Sequence, residues 1–439
     1  VDCLRGDVQS NCGSPGGRQR LPGGQETEVH GALSATVMNF DIPEQIVLLQ
    51  DTLRRFVARH MPRESAARWD KENHFPREVF KQLADLGLLG LTFPEKYGGT
   101  GRDILATLVV IEELSRRSLA VSVPYIMGSC YAGMNLLECG SERQKRELLP
   151  KVASGDLIFA YGWSEPDVGA DVASVKTRAT RVGNHVVING SKRFCSGADI
   201  CDYIYTLVRS SDSEAKSGAL SFVLVPPHTP GVTITRIESL GMKGAATTDV
   251  TFTDVRVPIE NVMNEEAGWN RGWSMISGAG LDVEKLEVAA ISLGLAAAAL
   301  DDAWDYAQQR TQFGRPISEY QSIRHKLADM KTQVHAARLV THHAAWLANE
   351  GRRCGVETSM AKLFAYGVQA EVSVAKLFAA ETAKSVALDA QTIFGAYGYV
   401  KDFDIERNVR DALLMPIIGG SSAIQRNNIA NWLGLGRSK

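Results

Sequence analysis

Apolar positions change their period twice along the chain. From Pro43 to about Ser154 the spacing is helical. Ile46, Leu49, Leu53 and Phe56 recur at three and four, and Pro62 follows that helix. Pro76 opens a second helix that closes near Leu83, Leu86 and Gly87, and Ile104 to Ser115 forms another, after the loop Pro94 to Gly101. Between Phe159 and about Glu265 the period shortens. His185–Ile188, Tyr203–Val208, Leu220–Val225, Val232–Thr235 and Val250–Thr253 are β-branched and aromatic runs divided by Gly, Pro, Asn and Asp. Beyond Trp273 long Ala- and Leu-rich helical stretches continue to the C-terminus. The pattern predicts an α+β multidomain chain. An N-terminal α-helical domain (38–158) precedes a middle antiparallel β-barrel or sandwich domain (159–268) and a C-terminal four-helix-bundle domain (269–439).

Residues 1–37 are rich in Gly, Arg and Gln without a sustained apolar period, which predicts a disordered or vector-derived tail with Met38 as a candidate start. Over the 439 residues, 48 Lys and Arg face 50 Asp and Glu, a formal charge of -2, so no global field favours nucleic acid or an anionic membrane. Seven cysteines, an odd number without a C-x-x-C pair, favour a reducing compartment over a disulfide scaffold or a thiolate zinc site. No apolar run reaches the roughly 18 residues of a membrane helix. A soluble protein is expected, cytoplasmic in a bacterium or in the mitochondrial matrix of a eukaryote. His335, His342 and His343 do not form a H-E-x-x-H pair, and no metal is expected.

Two features carry chemistry. Tyr161 to Asp171 follows an apolar run, Leu157–Ala160, and turns sharply where Pro166 fixes φ and Gly169 frees it. Its backbone N–H groups and the Ser164 hydroxyl suit a planar ring bearing carbonyls, such as a flavin, although Ser-Glu-Pro-Asp is also ordinary turn chemistry. The second feature is a helix in which Leu281, Glu284, Val288, Ile291 and Leu295 share one face. A carboxylic acid within an apolar stripe is either a structural ion-pair partner or a general base with a raised pKa.

Six ordered segments extend these signals. Leu86–Gly90 with Pro94–Gly99, Tyr161–Asp171, Ile188–Gly197, Leu240–Gly244 with Phe252–Pro258, Arg310–Ile317 with Tyr320 and Gln321, and Phe394–Tyr399 with Arg410–Asp411 together resemble the acyl-CoA dehydrogenase family over residues 40–439. The resemblance implies FAD, with the Tyr161, Gly162, Trp163 and Ser164 backbone near the pyrimidine side and Gly169 and Ala170 in the same loop. Phe194 and Ser196 would lie along the isoalloxazine, and Cys195 belongs to the same cofactor loop, with its side chain read as packing. Arg310, Gln312, Phe313, Tyr320 and Gln321 would reach the FAD of a neighbouring subunit. Gln391, Thr392, Gly395, Ala396, Ser421 and Ala423 would complete that cofactor site in a homotetramer.

Many family members carry the base in the loop that here reads Ile417-Ile418-Gly419-Gly420, where the matching residue is Gly419. The isovaleryl-CoA and long-chain branches place it on the helix, and that match is Glu284. The implied reaction removes the α-proton of an acyl-CoA with Glu284 while hydride leaves the β-carbon. The Gly419 N–H would polarise the thioester carbonyl, and electrons would pass to an electron-transfer flavoprotein in fatty acid or branched-chain amino acid catabolism. Ala170, Asp282, Lys285 and Gly420 are the implied substrate contacts. Glycine at 419 and 420 suggests room for a short or branched acyl group. Several positions depart from the pattern: Phe194 for a frequent tryptophan, Ala170 for a serine, Thr392 for a glutamine, and Lys243 for an arginine. They keep open a carrier-protein thioester of secondary metabolism or a flavin oxidase or monooxygenase, and more remotely a DNA-binding member of the fold.

Overall fold

The computed structural model describes residues 42–212, 216–276, 279–349, 358–432 and 435. The expected tail, 1–37, lies outside them. Helix α1 (Glu44–His60) buries Ile46, Leu53 and Phe56, the stripe that its spacing predicts. Pro62 does more than follow it: it is the N-cap of α2 (Arg63–Glu72), whose period is hard to see because only Ala66 and Trp69 are buried. Pro76 caps α3 (Arg77–Asp85). Helix α4 (Ile104–Ser115) has the predicted bounds, its first turn held by Asp103, whose carboxylate accepts from the Ala106 N–H at 3.0 Å.

Helix α5 (Leu119–Tyr125) runs into a π-helical segment, Ile126–Met134, before α6 (Asn135–Cys139) and α7 (Glu142–Ala153). Pro124 withdraws a backbone donor just before this wider winding. The segment lies against the strand that leads into the Tyr161 loop.

The middle of the chain forms a seven-stranded sheet: β1 (Phe159–Gly162), β2 (Arg178–Val182), β3 (His185–Ser196), β4 (Tyr203–Arg209), β5 (Leu220–Val225), β6 (Val232–Arg236) and β7 (Thr247–Pro258). Their order is β1-β4-β2-β3-β7-β6, with β5 on β4. The sheet is mixed rather than wholly antiparallel, because β1 pairs with β4 in parallel, Phe159 opposite Tyr203. Strand β2 carries only one fully buried apolar side chain, Ala179, so its alternation is invisible in the sequence. The β3–β7 register shifts between Lys192 and Cys195, and there Phe194 adopts φ 61.

Five helices follow the short α8 (Gly272–Ile276): α9 (Ala279–Gln309), α10 (Gln321–Asn349), α11 (Thr358–Phe394), α12 (Ile405–Ala412) and α13 (Ser422–Trp432). They form the expected C-terminal helical domain, in which α11 packs on α9, α10 and α13. Helix α4 of the N-terminal part supplies another packing surface against α9 and α10. The close approach is made at Gly294, where a Cβ would stand 2.4 Å from the Glu112 carbonyl. From Lys285 to Leu300 every residue of α9 is buried. Its C-terminal turns, residues 301–309, return to the surface, and Glu284 near its N-terminal end is partly exposed.

Candidate active site

Glu284 stands at that end of α9. It retains partial solvent contact, yet burial raises its carboxyl to about 7, with Lys285 opposing. A side chain touched by solvent but stripped of most of its hydration lines a recessed cleft. Facing it are aromatic rings from two elements. Tyr131 of the π-helical segment stacks on Tyr161 with centroids 3.7 Å apart, and Tyr161 stacks on Trp163 at 4.8 Å. Burial pushes both phenols up, and the Glu284 charge adds to it. Asn135 fixes the stack by donating its amide to the Tyr161 Oη at 2.5 Å.

Below Glu284 by one turn lies Glu287, only 3% exposed, with its carboxyl raised to about 8 by burial and then by Glu284. The 281-284-288 stripe passes over it, although 284-287-291-295 is an equally regular face. Tyr131, Asn135 and Cys130 also escaped the sequence reading, since α-helical periodicity does not describe a π-helical winding.

The Tyr161 loop is clamped from inside. Glu165 accepts from the Lys176 and Thr177 N–H groups at 2.7 and 2.8 Å and from Lys192 Nζ at 2.9 Å; Lys192 also donates to the Trp163 carbonyl at 3.2 Å. Despite burial, Lys192 and those N–H donors hold the Glu165 carboxyl below its ordinary range. The clamp joins the loop to β3, where Arg193 N–H donates to the Ser164 carbonyl at 2.9 Å, so Ser164 and Ser196 sit on coupled elements.

The residues fit an aromatic, hydrogen-bonding cofactor such as FAD. Trp163 presents a buried indole N–H without a partner among the described residues. The bulge turns Phe194 outward to 59% exposure, and no atom lies within 4 Å of a Cβ added at Gly169. Gly162 sits within β1 and Ala170 is exposed beside Gly169. The Cys195 side chain is packed in the core, and that burial pushes its thiol up to about 12.

The implied substrate contacts on α9 are of two kinds. Lys285 is 9% exposed, buried in the helix packing rather than offered to a substrate arm. The Asp282 side chain lies outside the described residues. Gly419 and Gly420 have φ 58 and 74, and Gln425 Nε2 donates to both carbonyls at 3.0 Å, which orients these peptides. Neither glycine opens free space. A Cβ at 419 would meet Val288 Cγ2 at 2.7 Å, and one at 420 would meet Gln425 Nε2 at 2.6 Å. The loop is anchored by Lys376, which donates to the Met415 carbonyl at 3.0 Å, and by Asp411, which accepts from the Met242 N–H at 2.7 Å.

The remaining predicted residues form a second group. Arg310 follows α9, 26 residues beyond Glu284, which is roughly 39 Å of helix at 1.5 Å per residue. A tight hairpin, Thr311–Gln312 with Arg315–Pro316, turns at Phe313 (φ 52) and Gly314 (φ 80) and leaves Phe313 95% exposed. Tyr320 holds it by donating to the Gln312 carbonyl at 2.9 Å, and Arg310 lies over the Tyr397 ring at 5.7 Å. Gln321 is exposed beside His325. Gln391 is spent on the Gly398 carbonyl at 3.1 Å and Thr392 on the Leu388 carbonyl at 2.9 Å, around the exposed Gly395 and Ala396 turn. Ser421 begins the turn into α13, and Ala423 is exposed on it. One chain therefore does not bring the Arg310 group to the Glu284 cleft.

Comparison with known proteins gives a consistent result. The family model described as acyl-CoA dehydrogenase, N-terminal domain, matches residues 43–156; the middle-domain model matches 160–255; and the C-terminal-domain model matches 270–370 and 366–434. An acyl-CoA dehydrogenase of Bacillus subtilis (strain 168) is 37% identical over 394 residues, covering 89% of this chain and 98% of the relative. The mitochondrial isovaleryl-CoA dehydrogenase of Pongo abelii is 35% identical over 383 residues, covering 86% of each. A solved structure of a glutaryl-coenzyme A dehydrogenase with glutaryl-CoA superposes with TM-score 0.83 at 33% identity, covering 91% of this chain and 98% of that one. Relatives with different acyl groups thus stand at similar identity, and the isovaleryl branch is not singled out.

Proposed function

The chain belongs to the acyl-CoA dehydrogenase family, and from that premise we propose that Glu284 is the base that removes the α-proton of a short or branched acyl-CoA. The enzyme is an FAD-dependent oxidoreductase acting on CH–CH donors. The observation that carries the base assignment is a partly exposed carboxyl, raised to about 7 by burial, at the edge of the buried stretch Lys285–Leu300 of α9. A base of that strength is matched to proton abstraction near neutral pH.

The stacked rings of Tyr131, Tyr161 and Trp163, and Val288 packed against Gly419, support a small acyl group over a long one. Trp163, Ser164, Phe194 and Ser196 would hold the isoalloxazine. Bound FAD supplies the hydride acceptor for the β-carbon. The chain supplies the rest: Glu284 takes the proton, the Gly419 N–H polarises the thioester carbonyl, and the aromatic wall excludes water from the reacting carbons. The Arg310 hairpin completes a neighbouring subunit's cofactor site within a homotetramer, and the electrons pass to an electron-transfer flavoprotein.

Anaerobic titration of the flavin absorbance with a panel of acyl-CoAs tests this reading. Short and branched members should bleach it, and a response confined to long chains would overturn the substrate assignment. Reoxidation faster with electron-transfer flavoprotein than with oxygen separates the dehydrogenase from an oxidase on the same fold.

A further inference from the structure

Glu284 and Glu287 lie three residues apart on α9, a spacing that puts their Cβ atoms about 5–6 Å apart on one face. Their surroundings offer Glu287 little compensation. Its Oε2 is buried without a hydrogen-bond partner, and among the described residues it makes no ion pair. The groups that face it are Cys130 of the π-helical segment, whose thiol hydrogen bonding favours its ionised form, and Glu284 of its own helix. Its charge is also felt by Tyr125 of α5, Tyr131 of the π-helical segment and Tyr161 of β1, three buried phenols that are neutral.

We propose that Glu287 is a positioning residue that holds a proton beside Glu284, so that the two carboxyls share one negative charge and that charge rests on the base. Two buried acids at this separation resist ionising together. While Glu287 is neutral, Glu284 is free to be the ionised member and to accept the substrate proton. Once Glu287 ionises as well, its charge opposes the enolate character that develops on the thioester, and catalysis slows. The inference rests on Glu284 being the base.

The test is the rate of anaerobic flavin bleaching by a saturating short-chain acyl-CoA, measured against pH in the FAD-loaded enzyme. The wild type should rise through about 7 and fall again above the second ionisation. Glu287→Gln should lose the high-pH fall while the lower midpoint stays near that of the wild type, giving about threefold or more advantage over wild type at the alkaline end. Cys130→Ser, whose hydroxyl donates more strongly to an ionised Glu287, should bring the fall to lower pH. A packing role alone would change melting temperature and leave both midpoints in place. A high-pH fall retained in Glu287→Gln, or left in place in Cys130→Ser where the first variant does not fold, overturns the inference. Wild-type bleaching in Glu284→Gln would overturn the base assignment instead.

Discussion

The Val288 side chain occupies the space into which any side chain at Gly419 would have to grow, 2.7 Å from the position of its first carbon. Gly419 also has φ 58, a conformation that L side chains rarely adopt. Glycine at this position, and Glu284 one turn before Val288, therefore belong to the same packing arrangement.

Gly419→Glu should consequently lower stability rather than simply alter chain-length preference. The strain and the contact together predict a loss of about 1–3 kcal/mol in chemical denaturation. Val288→Ala in the same chain should recover part of it, and a fully stable single variant would show that the loop moves away from α9.

Glu284→Gln should keep FAD and the melting temperature of the parent but slow anaerobic bleaching by about 100-fold or more, the usual weight of a general base. Equal rates would place the base elsewhere.

The buried Glu165–Lys192 pair should be costly to break from one side. Lys192→Met leaves an uncompensated carboxylate under the loop, and a loss of about 3–5 kcal/mol is expected, together with weaker FAD retention. Glu165→Gln with Lys192→Met should be less damaging than the sum of the single changes, as a double-mutant cycle would show.

Stability should fall with rising pH where Glu287 titrates. Its folded-state value, about 8, lies above the ordinary carboxylate value of 4.5. The unfolded chain therefore releases the proton first, and stability declines from about 4.5 up to about 8 before levelling. Melting curves of Glu287→Gln should show a shallower decline over that window than the wild type, and parallel curves would remove Glu287 from the account.

If the Arg310 hairpin serves a neighbouring subunit, two inactive chains should complement each other. Arg310→Ala is expected to weaken FAD binding by about 10- to 100-fold through loss of a charge-assisted contact. Coexpressed with Glu284→Gln, it should regain activity in mixed oligomers, and no recovery would argue for a site built from one chain.

The sequence by itself determined the succession of helices, strands and helices, the bounds of α4 and β5, and the places of Glu284 and Gly419, because those features are written in local period, glycine and ordered motifs. It did not determine α2 or β2, whose few buried positions give no period. Only the tertiary structure decided that Tyr131 faces Glu284, that Val288 fills the ground beside Gly419, and that Glu287 is buried with one carboxylate oxygen unpartnered among the described residues. Each of these depends on which distant element packs against a residue. A pattern read along one segment records how much of that segment is buried, and burial is supplied by neighbours that the segment does not contain.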